Sequence, residues 1–495
     1  MSILLVAQLL FALLESARNI EFYRVLQMNT DSVTESLFAD YASPLWEDYR
    51  ILGVTAADSG GQFSLNNREA MLRSISKTNL CSADGLYGLS GNSLLTADMS
   101  DVMFDEYMLV TDQQGKVFQA LAASYMENNL AYEITSSVYS NYEAIKGVQD
   151  EYGDGNASIG DALDTLDSIR ESEGSGGPAL KKAPRNPSER KTNSDEGEGT
   201  TEENLLTTVS EAQKSGVLGI VLPEKDKVSG TQIKLDQTVS HRRLQKGTSG
   251  RQAEISLQDQ MLFHQYLQHY LDCYTDKADE GGLSYELEYL IGGKGKDAAN
   301  LKVVVAELLA IREAANLSAL AGSHQKREQA GRMAALLAGA TANPAVVEAV
   351  KLGILAAWAY AESVLDLRCL LQGGRIAVIK SDADWTSNLD AVPSLLSGWS
   401  QAKSSEKGIT YKEYLGLLLL IHSGESLAMR AMDVQEAAVR QKAGYEAFRM
   451  DCLICEADIQ AVYEYVPIFF GFVTLLKSGT DRIRIQRNTH YSYLL

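Results

Sequence analysis

The first 41 residues contain neither proline nor glycine, and their apolar pattern changes partway along. Ile3 to Leu14 reads ILLVAQLLFALL, uncharged and interrupted only by Gln8. Glu15 and Arg18 follow, and then apolar residues recur at helical spacing: Ile20, Phe22, Val25, Leu26, Val33 and Leu37. With no helix breaker, this stretch is expected to form one helix to about Tyr41, apolar all round at its tip and on one face along its stem. The tip residues Ile3, Leu4, Leu5, Val6, Leu9, Leu10, Phe11, Leu13 and Leu14 are the candidate membrane-contacting set, with Glu15 and Arg18 at the junction. Twelve helical residues rise about 18 Å against a hydrocarbon core of about 30 Å, too short to span alone. The run also lacks the basic flank and small-residue cleavage site of a secretory signal. Its apolar side chains must be covered by lipid or by the protein's own core, and a short apolar run does not by itself choose between them.

Charge narrows the partners. The 495 residues carry 45 Lys+Arg against 65 Asp+Glu, a formal net charge of −20. No nucleic-acid partner is expected, because such binders need a basic stripe to displace counterions from phosphates. A hydrophobic content of 45% excludes global disorder, and five cysteines in so long a chain exclude a disulfide-stapled scaffold.

Only eight prolines occur, and Pro178, Pro184 and Pro187 fall together. Residues 171–204 are Gly, Ser, Pro and charge, and Leu180 is the one large aliphatic residue up to Asn204. Such a segment cannot bury enough apolar surface to offset its ordering entropy, so it reads as a disordered linker spanning about 30 Å. The expected organisation is therefore an N-terminal apolar and amphipathic helix over 1–41, a helical stalk over 42–170, the linker over 171–204, and a helical body with an antiparallel sheet over 205–495. In the stalk, Lys116 to Gly147 carries apolar residues at helical spacing and predicts one long helix packed on the N-terminal stem.

In the body, Asp297 is placed to cap a helix through Asn316, and Asn343 before Pro344 is the preferred order of N-cap and first helical residue. The helix begun there should stop at Gly373 and Gly374. Thr410 with Glu413 predicts a capping box, and Ser423 can cap a second helix through Arg449, the two forming an antiparallel hairpin. Period-two alternation predicts strands at Cys455 to Val466 and Arg482 to Tyr493, with Ser478 and Gly479 supplying the turn. The same alternation predicts a strand over Leu283 to Ile291. The arginines of the last strand should lie near an acidic neighbour. The fold class is α+β, predominantly helical, with a long N-terminal helix and a small antiparallel sheet that includes the C-terminal strands.

Signatures of catalysis are missing from the sequence: no G-x-S-x-G, no H-E-x-x-H, no complete Walker A and no G-x-G-x-x-G. Gly292 to Asp297 (GGKGKD) lacks the phosphate-loop spacing and reads as a strand-to-helix turn. Cys452 and Cys455 form C-x-x-C at the start of a strand, where alternation sends the side chains to opposite faces, and burial is the expected role. The six histidines are scattered, and no metal site, catalytic residue or cofactor is expected. Glu362, Asp366 and Arg368 sit inside the apolar stretch Trp358 to Leu371, and Arg430 and Asp433 lie three apart on a helix; buried charge needs a partner, so these are expected to be structural ion pairs or caps. Glu348 and Lys351 argue against the stretch Ala345 to Ala361 as a membrane span.

Several segments together resemble one family: LLESAR (Leu13 to Arg18), YASPLWEDYRILG (Tyr41 to Gly53), LSYELEYLIGGKGKDAANLKVVVAELLAIREAANL (Leu283 to Leu317), WAYAESVLDLRCLLQGG (Trp358 to Gly374) and YKEYLGLLLLIHSGESLAMRAMDVQEAAVR (Tyr411 to Arg440). They are similar to the exported clostridial family catalogued as domain of unknown function 5702, whose members are often encoded beside tight-adherence (Tad) pilus components. The LLESAR junction is also similar to that of minor pilin-like proteins. The resemblance implies a non-enzymatic protein with a single N-terminal membrane helix and an extracellular body, serving assembly or display of a pilus-like structure with other pilus or secretion-apparatus proteins. It carries over no catalytic residue. The apolar run is several residues shorter than in the family, which implies either an in-frame extension upstream of Met1 or a degenerate anchor. The competing expectation is a soluble intracellular scaffold or enzyme whose first helix packs into the core, with Glu362, Asp366 and Arg368 as the candidate site.

Overall fold

The computed structural model describes residues 2–58, 60–81, 95–129, 136–152, 159, 161–166, 201–223, 228–277, 282–338, 343–468 and 482–494. The N-terminal helix α1 spans Ser2–Ala39, close to the expected limit. It is followed by α2 (Ser43–Tyr49), β1 (Val54–Thr55), α3 (Asn66–Cys81), β2 (Asp98–Leu109), α4 (Lys116–Asn129) and α5 (Ser136–Tyr152). Then come α6 (Thr201–Lys214), α7 (Val217–Val221), α8 (Leu257–Tyr270), α9 (Glu286–Gly292), α10 (Asp297–Gly322), α11 (His324–Leu337) and α12 (Pro344–Leu371). The chain closes with α13 (Val392–Ser397), α14 (Tyr411–Leu419), α15 (Gly424–Val439), β3 (Leu453–Tyr465) and β4 (Ile483–Ser492). The expected class, α+β with helices dominant, is what the chain adopts.

β3 is the centre of the sheet. One edge pairs antiparallel with β2, from Leu109 opposite Ile454 to Asp98 opposite Glu464. The other edge is shared by β1, Val54 opposite Ile454, and by β4, from Ser492 opposite Glu456 to Ile483 opposite Tyr465. The alternation read in the sequence is real here: Cys455, Ala457, Ile459, Ala461, Tyr463 and Tyr465 are buried. The arginines of β4 meet an acidic neighbour, since Arg482 and Arg484 both bind Glu464, at 3.2 and 2.7 Å.

Two apolar cores meet along β3. The larger one is helical and is centred on α12, in which every residue from Gly353 to Leu371 is buried. The smaller one lies between the sheet and α1, where Phe22, Leu26, Val33, Leu37 and Phe38 pack on Ala457, Ile459, Ala461 and Tyr463. Leu453 and Cys455 belong to the first core and Ala457 onward to the second, so one strand ties them together. Among the described residues, α12 alone is long and apolar enough to cross a membrane by length and composition, and its burial makes it the axis of the core.

Three of the four expected caps form where local sequence placed them. Asn343 accepts from the Ala345 N–H at 3.0 Å ahead of Pro344, and Thr410 and Glu413 form the reciprocal box. Ser423 caps α15, which ends at Val439 rather than Arg449. The helices α14 and α15 are joined by residues 420–423 but make their main contacts elsewhere, α14 with α8 and α9, α15 with α9 and α4.

Several expectations are corrected. The segment 42–170 is not a helical stalk: it supplies β1 and β2, and its Phe118, Met126, Ile145 and Ile159 share the larger core with Leu205 and Val209 from beyond the linker. Lys116 to Gly147 is divided between α4, which packs on α8, and α5, which packs on α10; neither forms the expected layer on α1. Residues 171–200 of the linker, and the Ser478–Gly479 turn, lie outside the described residues, and residues 201–204 already belong to α6. Leu283 to Ile291 is not a strand. Glu286 and Glu288 are buried along with Leu287, Tyr289 and Ile291, so the alternation of polar and apolar residues did not mark an inside and an outside, and α9 forms instead. The GGKGKD stretch therefore joins two helices, turning at Gly293 (φ +59). Asp297 does not cap α10; its carboxylate accepts from the Ser229 hydroxyl at 2.6 Å and the Ser284 N–H at 3.1 Å, fastening two loops.

The buried acids of α9 give the protein a pH dependence. Glu286 accepts the Asp272 N–H, and Glu288 accepts the Tyr274 N–H and the Tyr411 hydroxyl. Burial outweighs these bonds and pushes Glu286 up to about 8 and Glu288 up to about 7. Burial likewise pushes Glu313 up to about 7. In the unfolded chain these groups ionise near 4.5, so between pH 5 and pH 8 the folded state holds more protons. Stability should therefore be greatest near pH 5 and fall toward pH 8, by up to about 1.4 kcal/mol per pH unit for each such group. His264, lowered by burial, opposes this below its ordinary value of 6.5, so a variant comparison isolates the effect. Urea midpoints at pH 5, 6, 7 and 8 should decline less steeply for Glu286→Gln than for the parent; parallel declines would refute the assignment.

Candidate functional site

The junction between the tip of α1 and its stem is the first candidate. At Glu15 the helix passes from exposed to buried. Glu15 is fully buried, and Arg18 donates to its Oε1 at 2.8 Å. The same guanidinium donates to the Val466 carbonyl at 3.2 Å and lies over the rings of Phe22 and Tyr465. Those two rings stack with centroids 4.2 Å apart, and the Tyr465 hydroxyl donates to Asn19 at 2.6 Å. Lower on the stem, Asn29 donates to the Tyr463 hydroxyl at 2.8 Å, and the Thr30 hydroxyl lies 2.9 Å from it. The stem is thus gripped by alternate residues of β3. Polar Asn29, Thr30 and Thr34 are part of the buried stripe, whereas Ile20, counted on it from spacing, is exposed.

Above Glu15 most of the described apolar side chains are exposed. Leu5, Leu9 and Leu13 are 63, 63 and 62% exposed, and Val6, Leu10 and Leu14 are exposed as well. Phe11 is half-buried, and the side chains of Ile3 and Leu4 lie outside the described residues. The expectation that this helix folds into the protein's own core is not met by its tip.

The second candidate, Glu362, Asp366 and Arg368, is a sealed charge network rather than an open site. The Asp366 Oδ2 accepts from Arg312 Nε and Nη2 at 3.1 and 2.9 Å and from Asn316 at 3.0 Å. Lys380 Nζ lies 2.5 Å from Asp366 Oδ1 and also binds Glu362. Glu362 accepts the N–H groups of Thr386 and Ser387 at 3.0 and 2.8 Å. Arg312 further donates to the carbonyls of Ala377 and Val378 at 2.9 and 2.7 Å and to the Tyr414 hydroxyl at 3.0 Å. Two cations and two anions, all buried, cancel. Arg368 is separate: it donates to the carbonyls of Ile220, Leu395, Leu396 and Ser400 and binds neither acid. Arg368 thus holds backbone carbonyls, and the two acids sit in ion pairs. Arg312 and Lys380 were not legible as their partners.

Arg430 and Asp433 are not paired with each other. Arg430 donates to the Leu290 and Ile291 carbonyls at the end of α9, and Asp433 accepts from Ser240 and from the Tyr289 hydroxyl. Cys452 and Cys455 are free thiols, both buried; burial pushes Cys452 up to about 11, far from a reactive thiolate. A groove of about 1110 Å³ is lined by polar residues including Gln62, Asp112, Gln114, Arg243, Lys246 and Arg449, and touches none of Glu362, Asp366 and Arg368.

These features define a mainly helical α+β protein in which one central strand clamps a projecting N-terminal helix and the four buried charges of Arg312, Glu362, Asp366 and Lys380 neutralise one another. Residues 195–465, more than half of the chain, match the family of unknown function DUF5702, and the chain belongs to that family. The match ends with the last residue of β3. No curated protein and no solved structure matches the chain.

Proposed function

We propose that the protein is a membrane-anchored, exported, non-enzymatic component that serves assembly or display of a Tad-like pilus or similar surface apparatus. The observation that carries the anchoring is the change at Glu15: six large apolar side chains stand exposed on one side of it, whereas the stem beyond buries one face against the sheet and leaves Ile20, Tyr23 and Met28 exposed on the other. Burying one such side chain is worth about 1.5–3 kcal/mol, so leaving six in water is costly and a bilayer removes the cost. Residues 2–14 rise about 20 Å, enough to reach most of the way through a hydrocarbon core of about 30 Å. The body, held through Arg18 and Tyr465, sits at the outer surface, where other pilus or secretion-apparatus proteins are its partners. The pilus role itself rests on the family resemblance of the junction and body segments.

The test is fractionation. The full chain should pellet with membranes, resist alkaline carbonate, and be cut by protease added to intact cells. Leu9→Arg with Leu13→Arg should release it, since each arginine costs about 2.5–3.5 kcal/mol at mid-membrane, roughly a hundredfold in partition. A parent protein found in the soluble cytosolic fraction would refute the reading.

A further inference from the structure

Ala306, Leu309, Ala310 and Glu313 follow the i, i+3, i+4, i+7 spacing of one face of α10. Two of the four are alanine, and between this stripe and the turn from α6 to α7 lies a hollow of about 300 Å³, at the small end of ligand pockets. Gln213 of α6, Val217 of α7 and Tyr360 of α12 complete its described walls. Ala306 and Ala310 are exposed at the mouth, whereas Glu313 and Tyr360, 4 and 2% exposed, form the base.

Glu313 differs from the acids of α12. Glu362 and Asp366 are each held by a cation, but the Glu313 carboxylate makes no hydrogen bond and no ion pair, and its Oε1 is shut off from solvent. A buried acid without a partner is costly and rare. Among the described residues no charged side chain acts on it. Neither Glu307 and Arg312 on its own helix, Glu211 and Lys214 on α6, Arg368 on α12, nor any charge on α5, α9 or α11 does so, and burial alone pushes it up to about 7. Tyr360 stays neutral, because burial and the neighbouring Glu313 both oppose its ionisation.

These groups select an occupant. The carboxylate repels an anion, and a wholly apolar guest would seal it in without a donor. A quaternary ammonium brings charge but no N–H. A primary ammonium on a short apolar stem brings both, and its methylenes match Leu309, Ala310 and Val217.

We propose that this hollow binds a primary alkylammonium ion, with Glu313 as the counter-ion and the stripe on α10 as the bed for its stem. The site does not depend on the anchoring of α1.

The experiment titrates n-butylammonium chloride into the full chain in non-ionic detergent and reads binding by calorimetry. Glu313→Gln, nearly the same shape, is titrated alongside so that uptake by the micelle subtracts out. The parent should bind one equivalent. Its affinity should rise about tenfold from pH 6 to pH 8, because the ionised fraction of a carboxyl near 7 grows by that factor while the ammonium, like that of lysine, stays charged. Glu313→Gln should weaken binding roughly tenfold or more and abolish the pH dependence. Butan-1-ol and tetramethylammonium, which keep the stem or the charge alone, should each bind more weakly by a similar factor. Ala310→Phe, at the exposed mouth, should block entry without touching the buried carboxyl. Nα-acetyl-lysine methylamide separates the sources: binding like that of butylammonium supports the proposal with a partner's lysine side chain as the ligand, and its exclusion supports it with a free small amine. Equal binding by Glu313→Gln, equal binding of butan-1-ol, or no saturable binding by the parent overturns the proposal.

Discussion

Lys380→Met should destabilise the protein by about 3–5 kcal/mol, because it removes one cation from a buried set of two and two. Glu362 would keep the Thr386 and Ser387 N–H groups but lose its counter-ion, and Asp366 would keep only Arg312 and Asn316. No water reaches either carboxylate to compensate, since both side chains are fully buried. Residues 376–387 should loosen with it. That segment has little regular structure, and its backbone groups are held by Arg312 and Glu362 in place of a strand ladder. Urea denaturation measures the loss, and the double variant Glu362→Gln with Lys380→Met should recover about half of it, because no net charge is then left behind. A loss under about 1 kcal/mol in the single variant would show that the pair is not sealed from solvent.

Phe22→Ala should cost a similar amount, about 3–5 kcal/mol, by opening a cavity between α1 and the sheet. Phe22 is fully buried, stacks on Tyr465 and forms part of the floor under Arg18, so its loss undercuts the junction as well as the core. Amide hydrogen exchange in detergent solution should speed up over residues 15–26, where the stem depends on these contacts. Leu9→Ala and Leu13→Ala, thirteen and nine residues away on the same helix, should change stability by less than about 0.5 kcal/mol in the same detergent, because both side chains are mostly exposed. Equal losses at Phe22 and Leu9 would mean that the tip is held by protein contacts after all.

What could be read from the sequence was what local chemistry decides. Asn343 before Pro344, Thr410 with Glu413, and Ser423 declare helix starts within four residues, and the structure uses all three. β3 and β4 announced themselves because one face of each meets a core and the other does not. β2 was missed for a physical reason: three register shifts against β3 interrupt its alternation, and four acids interleave its apolar residues. α9 was misread because burial on all sides erases the contrast that periodicity needs. The buried charges Glu362 and Asp366 were visible as anomalies in an apolar run, but Arg312 and Lys380 come from other elements, and no spacing rule reaches across them. The junction residues Glu15 and Arg18 were picked out from the sequence; that the carbonyl completing their site belongs to Val466 needed the folded chain.

The central position of β3 also sets a timetable. The inward face of α1 carries Phe22, Asn29 and Thr30, whose partners Tyr463 and Tyr465 are made some 430 residues later. During synthesis β1, β2 and the stem of α1 must therefore wait, unpaired on the side that β3 will fill, until nearly the whole polypeptide exists. Contacts this distant in sequence close slowly. A nascent chain cut short before Leu453 would hold neither its small core nor its sheet, so premature termination near the end should be as ruinous as one near the middle.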